Sequence, residues 1–288
     1  MMVKALVYFF VPALVGVLIG IASGLLGIGG GTVMVPIFRL AFGMSATMST
    51  ATSLFAIIPT SISGAISHVK GKTCIPALGI AAGLGGACLS PVGVWLAQLS
   101  PDWLVMLAAA LIIGYSAINM FKKAFKLRPA GQLATGVDAA AAASLTSSGD
   151  AAAAAPTADD SSLSRKQLLQ GAAIGLVAGL ASGYVGVGGG FIMVPLMLSI
   201  IGIPMRKASG TSLIAVMILA IPGVIEQGII GNINYLAGIA IVIGTIPGAV
   251  IGARLVTKVP ERTLRLLFGC FLIVAAVMLV LNEVGIFG

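Results

Sequence analysis

Residues 24–36 read GLLGIGGGTVMVP, and residues 183–195 read GYVGVGGGFIMVP. Three consecutive glycines stand in a long apolar run, and they do so twice, 159 residues apart. Glycine in a helix interior costs roughly 0.5–1 kcal/mol relative to alanine. A triple glycine therefore marks a helix break or a place where another backbone must come close. The register continues beyond the glycines without a gap. Ser23 matches Ser182, Gly43 matches Gly202, Thr52–Ser53–Leu54 matches Thr211–Ser212–Leu213, Gly93 matches Gly252, and Pro101 matches Pro260. Two copies of one unit build the chain.

The surroundings of the two copies are membrane-like. The 288 residues are 59% hydrophobic and 8% charged, with a mean hydropathy of +1.14. A soluble domain carries roughly 25% charged residues. Ala5–Phe38 contains no Asp, Glu, Lys or Arg, and Leu40–Pro101 is interrupted only by Lys70 and Lys72, beside His68. A spanning helix needs about 20 apolar residues, so the composition predicts an all-α, multi-pass protein of the cell membrane. Barrel strands would alternate over short segments instead. The formal charge of +8 reflects basic loops; no basic patch with interleaved aromatics points to nucleic acid. Cys74, Cys88 and Cys270 have no metal or redox spacing and read as small buried residues. The apolar N-terminal stretch ending IASG could pass for a cleaved leader. Its near-repeat LASG at 180–183 argues that it belongs to the fold.

The units are residues 1–121 and 167–288, joined by residues 122–166. The joint is rich in Ala, Ser, Thr and Asp and poor in large apolar residues, so it reads as a flexible linker. Each unit contains an apolar segment up to the glycines, a short segment after them, and three full spans. These are predicted at about 5–27, 30–42, 48–68, 73–99 and 103–121, then 167–186, 189–202, 208–227, 233–256 and 263–282. The short segments, of about 13 residues at 1.5 Å each, cover roughly 20 Å of a hydrocarbon core about 30 Å thick.

Charge discriminates between two topologies. If each glycine-interrupted pair crosses once, nine Lys and Arg fall inside and seven outside. If each pair is a hairpin that returns to its own side, the units are inverted, and only Lys4 and Arg39 remain outside against fourteen inside. The positive-inside rule favours the inverted arrangement, with a cytoplasmic linker and both termini outside.

Inverted repeats with interrupted segments are a transporter pattern, with the binding site where the interruptions meet. A short helix starting at such a tip presents unpaired N–H groups and the positive end of its dipole, an arrangement suited to an anion. The candidate substrate-binding residues are Gly29, Gly30, Gly31, Gly188, Gly189 and Gly190, joined by Thr52, Ser53, Thr211 and Ser212. Close helix packing is the competing reading for the glycines, as it is for Gly16, Gly20 and Gly24 and for Gly171, Gly175 and Gly179. Satisfying helix backbone is the competing reading for the hydroxyls. Glu226, the carboxylate within a predicted span, is a candidate coupling group or a solvated boundary residue. His68, beside Lys70 and Lys72, reads as a surface residue, with a proton relay as the alternative. A dinucleotide fingerprint is rejected for lack of a βαβ context. A single histidine offers no Ser-His-Asp constellation, and no GxxxxGK[ST] motif is present, so no enzyme or ATP-driven pump is expected.

The duplicated G-[IV]-GGG-x-x-MVP pattern, the T-S-L that follows and the small-residue-rich spans resemble the TauE/SafE family of membrane permeases, often called sulfite exporters. The resemblance covers both apolar halves and excludes the linker. It implies a secondary transporter of a small anion such as sulfite or an organosulfonate, in either direction, with no bound cofactor or metal. The partners expected are the anionic solute and the lipid bilayer. A homo-oligomer is neither required nor forbidden. The alternatives are a non-transporting membrane scaffold or sensor, and an anion channel.

Overall fold

The structure is a computed structural model that describes residues 2–126 and 164–283. The joint 127–163 and the chain ends lie outside the described residues. Among the described residues every regular element is helical. The first unit contains α1 (Met2–Leu26), α2 (Gly31–Phe42), α3 (Ala46–Lys70), α4 (Pro76–Leu99) and α5 (Asp102–Lys126). The second contains α6 (Arg165–Val185), α7 (Gly190–Leu196) with a π-helical turn at Met197–Ile201, α8 (Met205–Ile230), α9 (Tyr235–Leu255) and α10 (Glu261–Glu283). Seven of these helices are long and apolar enough to cross a membrane: α3, α4, α5, α6, α8, α9 and α10. The chain is an all-α, multi-pass membrane protein.

The units pack through one another. α1 lies along α9, and its repeat-mate α6 lies along α4. α3 packs on α8, and α5 on α10. Small residues make the first two contacts close. A Cβ added to Gly16, Gly20 or Gly24 would sit 2.5, 2.4 and 2.1 Å from the carbonyls of Ile241, Thr245 and Ala249. One added to Gly175, Gly179 or Gly183 would sit 1.9, 2.1 and 2.1 Å from those of Ala82, Gly86 and Ser90. These are equivalent sets in the two units. Between membrane helices, where apolar burial gives no net drive, such backbone approach supplies the dispersion contact.

Polar bonds repeat with the same symmetry. The N–H of Ala46 donates to Asp102 Oδ2, and that of Met205 donates to Glu261 Oε1, both at 3.3 Å. Each carboxylate satisfies a donor at the start of a full-length helix and is attracted by the positive end of its dipole. His68 and Thr73 join at 2.7 Å, and their equivalents Gln227 and Asn232 join at 2.8 Å.

These contacts also set directions. The end of α3 and the turn after it, with His68, Thr73 and Ile75, meet Gly210 and Thr211 near the start of α8. The end of α8 and its turn meet Thr52 near the start of α3. The two equivalent helices therefore run antiparallel. Likewise Gly171, early in α6, meets Leu78, early in α4, while Thr211, early in α8, meets Gly79. α6 and α8 thus both start at the end of the bundle where α3 joins α4.

Cys74 is buried as expected, but Cys88 and Cys270 are exposed. Two further features differ from the sequence reading. His68 is fully buried rather than superficial. Its Nε2 lies 2.7 Å from the Gly24 carbonyl and its Nδ1 2.7 Å from Thr73 Oγ1. α1 ends at Leu26, so the Gly24 carbonyl is among those left without an intrahelical donor; the imidazole supplies one. Nothing in the local charge pattern revealed this, because the partner lies in a different helix. Second, the short helix of the second unit loses α geometry after Leu196. Proline alone does not explain the π turn, since α2 carries Pro36 at the equivalent position and stays α-helical to Phe42. What differs is the carbonyl of Pro195, which accepts from Ser199 Oγ at 2.6 Å and from Lys123 Nζ at 3.0 Å. The first unit has Leu40 where the second has Ser199.

Candidate functional site

The glycine tips meet in the core. α1 and α6 end at Leu26 and Val185, and Gly30 and Gly189 cap the short helices that follow. Both caps have positive φ, 84° and 68°, a conformation that glycine adopts without steric cost. The tips touch directly. A Cβ on Gly31 would lie 2.5 Å from the Val187 carbonyl, and one on Gly190 would lie 2.5 Å from the Gly27 carbonyl. Ile57 of α3 and Val216 of α8, themselves repeat equivalents, close against Gly29 and Gly188. All six glycines singled out in the sequence are buried, and the structure brings them into one place.

The first turns of α2 and α7 face this region with their N–H groups; those of Val33, Gly190 and Ile192 bond back to the Gly30, Gly188 and Gly189 carbonyls, while those of Gly31, Thr32 and Phe191 have no backbone acceptor among the described residues. Hydroxyls surround it. Ser61 Oγ lies 3.4 Å and Ser23 Cβ 3.6 Å from the Cβ positions of Gly29 and Gly30 respectively. Thr32 is the second residue of α2, and Ser182 stands at the equivalent of Ser23. The hydroxyls of Ser23, Thr32, Ser61 and Ser182 are all fully buried, and none has a hydrogen-bond partner among the described residues. Leaving such a group unpaired costs about 1–3 kcal/mol. Sequence reasoning did not single out these four. The available signal was that Ser23 and Ser182 recur at the same repeat position.

The four hydroxyls it did single out divide. Thr52 Oγ1 accepts the N–H of Asn234 at 3.0 Å, and Thr211 Oγ1 accepts that of Ile75 at 2.9 Å. Both hold the ends of neighbouring helices. Ser212 Oγ lies 2.7 Å from the Gly27 carbonyl and 2.8 Å from that of Ser209, clasping the first hairpin turn. Ser53 Oγ is buried without a partner among the described residues. Glu226 stands apart, half-buried one turn before the end of α8. It is ten residues beyond Val216, or about 15 Å along the helix. One of its oxygens, Oε2, is buried and unpartnered among the described residues.

A family model described as sulfite exporter TauE/SafE matches residues 12–279, which takes in both glycine tips and, but for the last turn of α10, all seven apolar helices. The chain belongs to the TauE/SafE family. Some curated relatives are similar over nearly their whole length. A probable membrane transporter protein YunE of Bacillus subtilis is 27% identical over 97% of this chain and 99% of its own. A second from the same organism, probable membrane transporter protein YdhB, is 26% identical over 88% and 92%. The sulfite exporter TauE/SafE family protein 3 of Arabidopsis thaliana is 30% identical over 36% of this chain and 23% of its own. No solved structure matches. The family is one of membrane transporters rather than enzymes, and the apolar helices agree with a multi-pass protein of the cell membrane.

Proposed function

We propose that this TauE/SafE member is a secondary transporter of a small anion, such as sulfite or an organosulfonate, held near the midplane where the two glycine tips meet. The carrying observation is the convergence of two helix starts beside the buried, unpartnered hydroxyls of Ser23, Thr32, Ser61 and Ser182. Those groups are hydrogen-bond donors, and the two dipoles add positive potential. An oxyanion satisfies both at once. Thr52, Thr211 and Ser212 then act by holding the frame, while Ser53 is free to donate. Glu226 is the candidate coupling group, and with no ATP motif the drive is an ion gradient or the membrane potential.

The same reading assigns the units opposite orientations in the bilayer. The antiparallel run of α3 and α8 and the fourteen-to-two division of Lys and Arg support it. Transport follows by alternating access. The tips are closed on one another here, and rocking one unit against the other exposes the anion first to one side and then to the other.

The test is sulfite binding and liposome flux of Gly30→Leu and Gly189→Leu, with melting temperature and dispersity measured in parallel. Loss of a charge-assisted backbone bond costs about 1.5–3 kcal/mol, roughly ten- to a hundred-fold in affinity. Either variant should show that loss while remaining monodisperse. Where a leucine unfolds the protein, the double variant Ser23→Ala/Ser61→Ala reads the same site with a smaller perturbation. Normal sulfite binding by the folded variants would remove the anion site and leave the glycines to packing.

A further inference from the structure

A lateral cavity of about 690 Å³ lies between α4 and α5 of the first unit and α6 and α7 of the second. Its walls are largely apolar, with Leu96, Ile112, Val177 and Leu180 among them. The lining also carries Asn119, Lys123 and Ser199. Lys123 is the one charged residue of the lining among the described residues. Its ammonium donates to the Pro195 carbonyl at 3.0 Å and to Ser199 Oγ, which leaves its third donor available. Tyr115 and Val177 are more than half exposed, so the cavity opens sideways, where lipid lies, rather than toward the glycine tips.

The repeat supplies the second observation. The polar lining residues Tyr115, Ser116, Asn119, Lys123, Tyr184 and Ser199 correspond in the other unit to Val274, Ala275, Met278, Asn282, Leu25 and Leu40. Five of the six equivalents are apolar, and the sixth is uncharged. A feature of the common fold would appear in both copies; this one appears once. In an inverted protein the two copies face opposite leaflets. Lys123 is three residues from the end of α5, at the linker face that carries the basic excess.

We infer that this cavity binds an anionic phospholipid of the cytoplasmic leaflet. Its phosphate pairs with Lys123 and accepts from Asn119, and one acyl chain lies along Val177, Leu180 and Ile112. Cytoplasmic-side basic pockets between membrane helices take acidic headgroups, and among the described residues no carboxylate lines this one to oppose them. The bound lipid would bridge the two units beside the π turn. The leaflet assignment rests on the inverted topology proposed above; the binding itself does not.

The experiment titrates the purified full chain in detergent with phosphatidylglycerol, with phosphatidylcholine of the same chain length, and with inorganic phosphate. Native mass spectrometry counts bound lipid, and melting temperature reports stabilisation. Phosphatidylglycerol should bind at least tenfold tighter than phosphatidylcholine. Lys123→Met should abolish that preference, whereas Lys122→Met, altering an exposed neighbour, should keep it. Should Lys123→Met unfold, Val177→Trp decides: it keeps the cation, fills the chain groove and should exclude lipid. Equal binding of the two lipids, unchanged binding by folded Lys123→Met or by Val177→Trp, or the full effect from inorganic phosphate alone would each overturn the assignment. Detergent titration is blind to sidedness, so a wrong topology leaves its outcome intact and shows only in accessibility labelling.

Discussion

Thr211 Oγ1 accepts the backbone N–H of Ile75 at 2.9 Å, tying the start of α8 to the turn between α3 and α4. The equivalent bond, from Asn234 to Thr52 at 3.0 Å, ties α3 to the turn before α9. Each joins one unit to the other. Both threonines are fully buried, and in hydrocarbon surroundings an unpaired N–H finds no water to replace the lost acceptor.

Thr211→Val and Thr52→Val should therefore destabilise the fold by about 1–3 kcal/mol each. The two bonds share no partner, so their effects should add in the double variant. Substrate affinity of the folded single variants should change little. Thermal or denaturant unfolding in detergent, with a binding isotherm alongside, checks both halves of the expectation. A normal melting temperature with a large loss of affinity would make these threonines ligands instead of ties.

Glycines of similar sequence context should respond oppositely to alanine. At Gly175 the new Cβ would sit 1.9 Å from the Ala82 carbonyl, forcing α6 away from α4. Overpacking of this kind costs about 1–3 kcal/mol or more. At Gly114, inside α5, nothing lies within 4 Å, and alanine should stabilise by about 0.5–1 kcal/mol through helix propensity. Melting temperatures of Gly175→Ala and Gly114→Ala should fall on either side of the parent. Equal values would mean that the α4–α6 contact is looser than described.

The inverted topology predicts that Ser148, in the linker, and Gly288, at the C-terminus, lie on opposite sides of the membrane. Cysteine at either position, in a background lacking Cys74, Cys88 and Cys270, can be labelled from outside with an impermeant maleimide. Gly288→Cys should react in intact cells and Ser148→Cys only after permeabilisation. Finding both sites on the same side, above all both reactive only after permeabilisation, would sink the inverted arrangement.

Sequence alone determined the class and the repeat. Charge-free runs longer than a bilayer needs can only be spans, and a gapless match of two copies survives without coordinates. The glycines announced a helix interruption because their cost in a helix is a local property, carried by the backbone itself. What tertiary structure decided were the meetings between residues far apart in the chain. It assigned Thr52 and Thr211 to the neighbouring unit's backbone, turned His68 inward to the Gly24 carbonyl, and left Ser23, Thr32, Ser61 and Ser182 unpaired around the tips. A hydroxyl or imidazole has the same local pattern whether its partner is lipid-facing solvent, a carbonyl 44 residues away or a solute. Only packing selects among them, because hydrogen bonding depends on separations of a few tenths of an ångström that the order of residues does not encode.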